Sequence, residues 1–267
     1  MKYSYYQRLK NMCDAKNSYL CIGLDFDLDK MKNKNVKNLV SLESFIKDVI
    51  DSTYDLCAAY KPNFAFFEKY GPSGMKLLES VVEHIDYRSI TIADAKRGDI
   101  GNTSACYAQS IFEHYNFDAI TIAPYMGTDS IMPFIENSEN GAYLLCLTSN
   151  PSALDFQYNE SNGLTLYENV AKLASKLNND NLGLVVGATK NEQMQQIRDV
   201  APKLNWLIPG IGKQGGDLES SVRISNSGQG SGLINVSRSI IYAKNQDLDD
   251  IRESTIEYNK NINKFIN

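Results

Sequence analysis

Asp94, Lys96, Arg97 and Asp99 place four charged groups within six positions, directly after the short apolar run Ser89–Ala93. Charges at the end of a buried strand are costly to desolvate unless they are paired, hydrogen-bonded or put to use. Asp94 and Lys96 are two positions apart, so on a strand they project from the same face. A fixed cation beside a carboxylate can stabilise developing negative charge and deliver a proton. Histidine offers no alternative acid, because His84 and His114 both fall in helical stretches away from strand ends. Both are read as structural or surface residues, which leaves Lys96 as the candidate acid. No His/Cys/carboxylate cluster has metal-ligand spacing, so no metal is expected. There is no GxSxG elbow. The RGD tripeptide Arg97–Asp99 lies within the same charged cluster and is read as chance.

The elements that must position these residues are short apolar runs alternating with helical patterns. The runs are Tyr19–Phe26, Ala58–Phe67, Ser89–Ala95, Ala119–Tyr125, Gly141–Ser149, Leu182–Thr189, Trp206–Ile211 and Leu233–Arg238. Between them, Leu42–Cys57 carries Phe45, Ile46, Val49 and Ile50 at helical spacing, and Leu164–Leu177 carries Leu166, Val170, Leu173 and Leu177. Nearly continuous apolar strands indicate parallel strands buried on both faces. Eight strand-helix units of roughly thirty residues each predict a single (β/α)8 TIM barrel over residues 1–267, with its site at the C-terminal ends of the strands. An open doubly wound sheet is the alternative. It would normally carry a glycine-rich nucleotide loop after the first strand, and GLDFDLDK is not one.

In a barrel the strand ends converge on one face. The first run delivers Asp25, the second Lys61 and Asn63, the third Asp94 and Lys96 with Asp99 on the following loop. The fifth delivers Thr148 and Ser149, the seventh ends in PGIGKQGGD (Pro209–Asp217), and the eighth in Ser237 and Arg238. Asp25, Lys61, Asp94 and Lys96 can form a cluster of alternating charge. An ion-pair network that merely closes the barrel mouth explains one such pair better than four charges from three strands. Gly210, Gly212, Gly215 and Gly216 permit close backbone approach, and Arg238 offers a forked cation, so this side is the candidate phosphate site. The loop Asn150–Gly163 follows the fifth run on the same face and is either a mobile lid or a plain insertion.

Composition narrows the classes of function. The chain has 267 residues, 43% hydrophobic and 22% charged, an ordinary globular mixture. A net charge of −5 with no basic block argues against nucleic-acid binding. The five cysteines (Cys13, Cys21, Cys57, Cys106 and Cys146) are odd in number and form no CxxC pair, so free thiols are expected. The N-terminus MKYSYYQRLKNMC lacks the apolar core of a secretory leader. No apolar stretch approaches the roughly 20 residues of a membrane span. A cytoplasmic protein without a membrane partner is the expectation.

DAKRGDIGNTS resembles the D-x-K-x-x-D-I-x-N-T signature of the orotidine 5′-phosphate decarboxylases, in the extended form of the longer bacterial (type 2) subfamily. GLDFD, KPN, LTSNP, PGIGKQGGD and NVSR appear in the order that family shows, so the resemblance covers nearly the whole chain. It implies a TIM barrel that converts orotidine 5′-monophosphate to UMP and carbon dioxide without a cofactor. By resemblance, Lys96 would protonate carbon six of the pyrimidine, Asp94 would face the substrate carboxylate, and Lys61 would be the second lysine of the array. Asp99, with Ile100 and Thr103, would cross a homodimer interface to complete the partner's site. Asp25 and Asn63 would contact the ribose region, and Thr148 or Ser149 the pyrimidine edge. Pro209, Gln214, Ser237 and Arg238 would surround the substrate further out. Of these, Gln214, Ser237 and Arg238 would grip the phosphate, with Gln214 bridging toward the base. The nearest alternative is a magnesium-dependent sugar-phosphate lyase or synthase of the same superfamily. A catalytically dead phosphate-ligand sensor on a barrel would have no use for the two lysines.

Overall fold

Strands that are apolar along their whole length need cover on both faces, and helices between them supply it. The computed structural model describes residues 2–188, 190–212 and 216–266. Its strands are β1 (Leu20–Gly23), β2 (Ala59–Lys61), β3 (Ile90–Arg97), β4 (Ala119–Ile122), β5 (Gly141–Leu147), β6 (Glu160–Ser161), β7 (Leu164–Thr165), β8 (Leu182–Val186), β9 (Trp206–Ile208) and β10 (Gly232–Val236). All but β6 and β7 form one parallel sheet, which closes because β1 pairs with both β2 and β10. This is the expected (β/α)8 barrel, and each of the eight apolar runs overlaps one barrel strand, with β3 running on to Arg97 and β10 starting at Gly232. β6 and β7 make a small antiparallel hairpin in the loop after β5.

Alternation along the strands sorts the core into two layers. Cys21, Ala59, Ile92, Tyr143, Val185, Leu207 and Leu233 pack together inside the barrel. Their neighbours, such as Ile22, Tyr60, Ile120, Leu144, Leu184 and Ile234, pack under the helices against residues such as Ile46, Val49, Leu78 and Val81. The first helix, α1 (Tyr5–Lys16), belongs to the inner layer through Tyr5, Tyr6, Leu9 and Cys13. A capping box starts it: the Ser4 hydroxyl accepts from the Gln7 N–H, and the Gln7 side chain accepts from the Ser4 N–H. Tyr5 is fully buried, and its hydroxyl lies 3.1 Å from that of Tyr143. Gly141 makes room for it, because a Cβ there would sit 2.3 Å from the Tyr5 ring.

Local chemistry moved several boundaries. The second run stops being strand at Lys61, because Pro62 has no N–H to donate and the Asn63 side chain accepts from the Ala65 N–H to start a helical turn, Ala65–Glu68. The helix expected over Leu42–Cys57 runs from Leu39 to Thr53, since Asn38 caps it a turn earlier in a reciprocal box with Ser41. The helix expected from Leu164 starts at Leu166, because Thr165 ends the hairpin and caps the helix with Glu168. Cys13, Cys21, Cys57 and Cys146 are buried free thiols and Cys106 is an exposed one. Among the described residues no helix is long and apolar enough to cross a membrane.

Overpacking a filled core costs about 1–3 kcal/mol. Gly141→Ala should therefore lower the unfolding free energy by about that amount, read from the urea midpoint at unchanged slope. A wild-type midpoint would show that Tyr5 does not seal the barrel tightly.

Candidate active site

The inward rows that fill the barrel turn polar as they reach its C-terminal mouth. Ala59 is followed two positions on by Lys61, Ile92 by Asp94 and then Lys96, Ala119 by Thr121, and Leu233 by Asn235 and then Ser237. These residues line a cavity of about 270 Å³ with Leu145, Val185 and Leu207 among its apolar walls. Eleven of the residues singled out in the sequence share this cavity: Asp25, Lys61, Asn63, Asp94, Lys96, Thr148, Ser149, Pro209, Gly210, Ser237 and Arg238.

Asp94 is the hub. Its Oδ2 accepts from Lys61 Nζ at 2.7 Å, and its Oδ1 accepts from Lys96 Nζ at 2.5 Å and from Thr121 Oγ1 at 3.1 Å. The Lys61 and Asp94 side chains are 5% and 11% exposed, so their charges must answer each other. The Lys96 side chain is 49% exposed, so its tip is open to the cavity. Burial pulls the Lys61 ammonium down, but the charges of Asp94 and Asp25 outweigh it and hold the group well above the usual lysine range. Burial pushes the Asp94 carboxyl up, but Lys61 and Lys96 outweigh it and hold the group well below the usual carboxylate range.

The backbone is irregular here. Ala93 pairs with Ile120 and Arg97 with Ile122, so three residues on β3 face one on β4. Within this bulge Lys96 has φ +48°, the left-handed region that non-glycine residues seldom enter. Its N–H donates to Thr121 Oγ1 at 3.1 Å.

On the other side of the cavity Arg238 forms no salt bridge among the described residues. Asp25 Oδ1 and Ser237 Oγ are buried without a hydrogen-bond partner among the described residues. The Arg238 cation suits an anionic group of a ligand, whereas the unpartnered Asp25 Oδ1 and Ser237 Oγ suit hydrogen-bonding groups such as a hydroxyl. Thr148 is anchored to the following loop: its N–H donates to Gln157 Oε1 at 2.9 Å, its hydroxyl accepts from Gln157 Nε2 at 2.7 Å and donates to Asn150 Oδ1 at 2.6 Å.

Asp99, Ile100 and Thr103 do not line the cavity of their own chain. Asp99 Oδ1 accepts from the Ile100 N–H at 2.8 Å, while Ile100 and Thr103 are exposed. Gln214 lies outside the described residues. His84 pairs with Asp51 and His114 is exposed, neither at the cavity. Sequence reading missed Thr121 and Asn235. Extending the inward row two positions beyond Ala119 and Leu233 would have found both.

Residues 18–249 match the family described as Orotidine 5′-phosphate decarboxylase / HUMPS family. An orotidine 5′-phosphate decarboxylase of Christiangramia forsetii is 46% identical over 241 residues, covering 89% of each chain. The solved OMP decarboxylase of Leishmania donovani superposes with a TM-score of 0.86 at 35% identity, covering 99% of both chains. The UMP synthase of Leishmania donovani superposes with a TM-score of 0.89 at 37% identity. There the match covers 99% of this chain but 57% of the synthase, so the chain spans little more than half of that protein.

The pairing has a pH signature with a defined sign. Asp94 has a lowered folded-state pKa, so its contribution is full above its unfolded value of about 4 and is lost as pH falls through the folded value. Lys61 has a raised one, so its contribution is full below about 10.4 and is lost as pH rises through the folded value. Removing one partner of a buried pair costs about 3–5 kcal/mol. The stability gap between wild type and Asp94→Asn, measured by urea unfolding, should stay level from about pH 5 to 8 and narrow below about pH 4. A gap that widens on acidification would contradict this pairing.

Proposed function

The chain belongs to the orotidine 5′-phosphate decarboxylase / HUMPS family, and from that membership we propose how its one barrel domain, residues 1–267, decarboxylates orotidine 5′-monophosphate to UMP in pyrimidine biosynthesis. The observation that carries the reading is the Lys96 ammonium, 2.5 Å from Asp94 and open to the cavity. The bond between carbon six and the carboxylate breaks, carbon dioxide leaves, and the electron pair stays on carbon six. Lys96 stabilises that charge without reorganising and then gives the carbon its proton, which it regains from water. The apolar walls strengthen this interaction by lowering the local dielectric. Asp94 faces the substrate carboxylate and raises the energy of the bound ground state. Both its oxygens are engaged by Lys61, Lys96 and Thr121, and the charge that this reading presents to the substrate is the Lys96 ammonium. No cofactor enters the proposed reaction.

Asp25 and Asn63 contact the ribose, Thr148 or Ser149 the pyrimidine edge, and Pro209 the wall beside it. Ser237 and Arg238 grip the phosphate together with Gln214, and binding energy far from carbon six supports orientation at it. Asp99, Ile100 and Thr103 serve the site of a second copy in a homodimer. Their absence from their own cavity and the 58% exposure of Ile100 support this. The free thiols suit a reducing cytoplasm.

Lys96→Ala should lower kcat by at least about 10³-fold while UMP still binds. Loss of substrate absorbance with a chelator present reads the first, and calorimetry the second. Turnover within tenfold of wild type would refute the role of Lys96. Mixing Lys96→Ala with Asp99→Ala chains should restore activity, because one site of each mixed dimer is intact. No recovery, with mixed dimers shown to form, would refute the shared site.

A further inference from the structure

We infer that Thr121 is a positioning residue, whose single hydroxyl joins the backbone of Lys96 to the carboxylate of Asp94. The inference rests on the decarboxylase reading for its kinetic consequence and on geometry alone for its structural one. In the β3 bulge three residues face one on β4, so the ladder does not supply Lys96 with its regular partner. The Thr121 hydroxyl takes that place, accepting from the Lys96 N–H at 3.1 Å. Its own proton goes to Asp94 Oδ1, also at 3.1 Å. That oxygen is the one Lys96 Nζ meets at 2.5 Å. Backbone, hydroxyl, carboxylate and ammonium thus close a ring that begins and ends on Lys96.

Several features make this arrangement directional. Thr121 is 2% exposed, and its branched Cβ restricts the hydroxyl to few directions. A hydroxyl has one proton to donate, and here it is committed to Asp94. Arg97 holds the C-terminal end of the bulge: its Nη1 donates to the Ala95 carbonyl at 3.1 Å, and its carbonyl accepts from the Ala123 N–H at 2.8 Å. The left-handed turn at Lys96 is disfavoured for a residue with a Cβ and persists only where its surroundings hold it. Thr121 is the side chain that bonds to both the strained backbone and the hub carboxylate. An error of about 1 Å in a reacting group can cost on the order of 10²-fold in rate.

Thr121→Val keeps the shape and removes both bonds; Thr121→Ser keeps the hydroxyl and removes a methyl. With site concentration normalised by UMP titration, Thr121→Val should lower kcat by about 10- to 100-fold. KM should move by less than about threefold, and Thr121→Ser should recover most of kcat. Wild-type kcat in Thr121→Val, or equal impairment in the two variants, would overturn the inference. Crystal structures of wild type and Thr121→Val supply a readout independent of turnover. The variant should lose the left-handed turn at Lys96 or separate Lys96 Nζ from Asp94; an unmoved Lys96 would overturn the inference. Absence of wild-type turnover would sink the decarboxylase reading instead, with the two structures still deciding the position of Lys96.

Discussion

A lysine that is 4% exposed, as Lys61 is, keeps its charge only if a carboxylate stays ionised beside it. Asp94 is that carboxylate, and the dependence is mutual: Lys61 is the buried cation that keeps Asp94 ionised. Once Lys61 occupies Oδ2, the direction of the remaining oxygen is set, and Oδ1 is left to Lys96 and Thr121. A buried pair of this kind adds little stability compared with well-packed apolar residues. Its value is that it fixes a carboxylate, and therefore a second ammonium, beside the cavity. The proposed chemistry needs a cation already in place when charge develops on carbon, and the Lys61–Asp94 pair is what holds it there.

The barrel makes such a pair possible because one alternation serves two purposes. Inward residues at the lower levels are apolar and pack against α1, while the same rows two positions higher carry Lys61, Asp94, Thr121 and Asn235. The core thus becomes the floor of the cavity, dry enough for charges to interact strongly and rigid enough to aim them. The bulge at Lys96 is the one departure in β3. It places strain where the chain must turn a lysine toward the cavity, and Thr121 and the Arg97 contacts hold that strain.

Much of this was legible in the residues. Apolar runs longer than an exposed strand tolerates announced buried parallel strands, and charges at their ends announced a site. The polar residues that sequence reading passed over, Thr121 and Asn235, look like ordinary members of β-strands. Their importance comes from facing the cavity, which depends on register and barrel closure. The left-handed turn at Lys96 was equally hidden, since no glycine or asparagine marks it. Helix starts shifted at Asn38 and Thr165 because capping side chains, not apolar periodicity, decide where a helix begins. Asp99, Ile100 and Thr103 are a different case: their proposed role belongs to a second copy, and one chain leaves them outside its own cavity.

The ionisation of Asp94 can be observed directly. The side-chain carboxyl carbon of Asp94, assigned by comparison with Asp94→Asn, can be followed by carbon-13 NMR as a ligand-free sample is titrated into acid. Asp94 held between two ammonium groups should keep the chemical shift of a carboxylate throughout the range in which the folded protein persists, well below the usual protonation range near about 4. Protonation of Asp94 at or above about 4 in the folded protein would contradict the pairing with Lys61 on which the site is built.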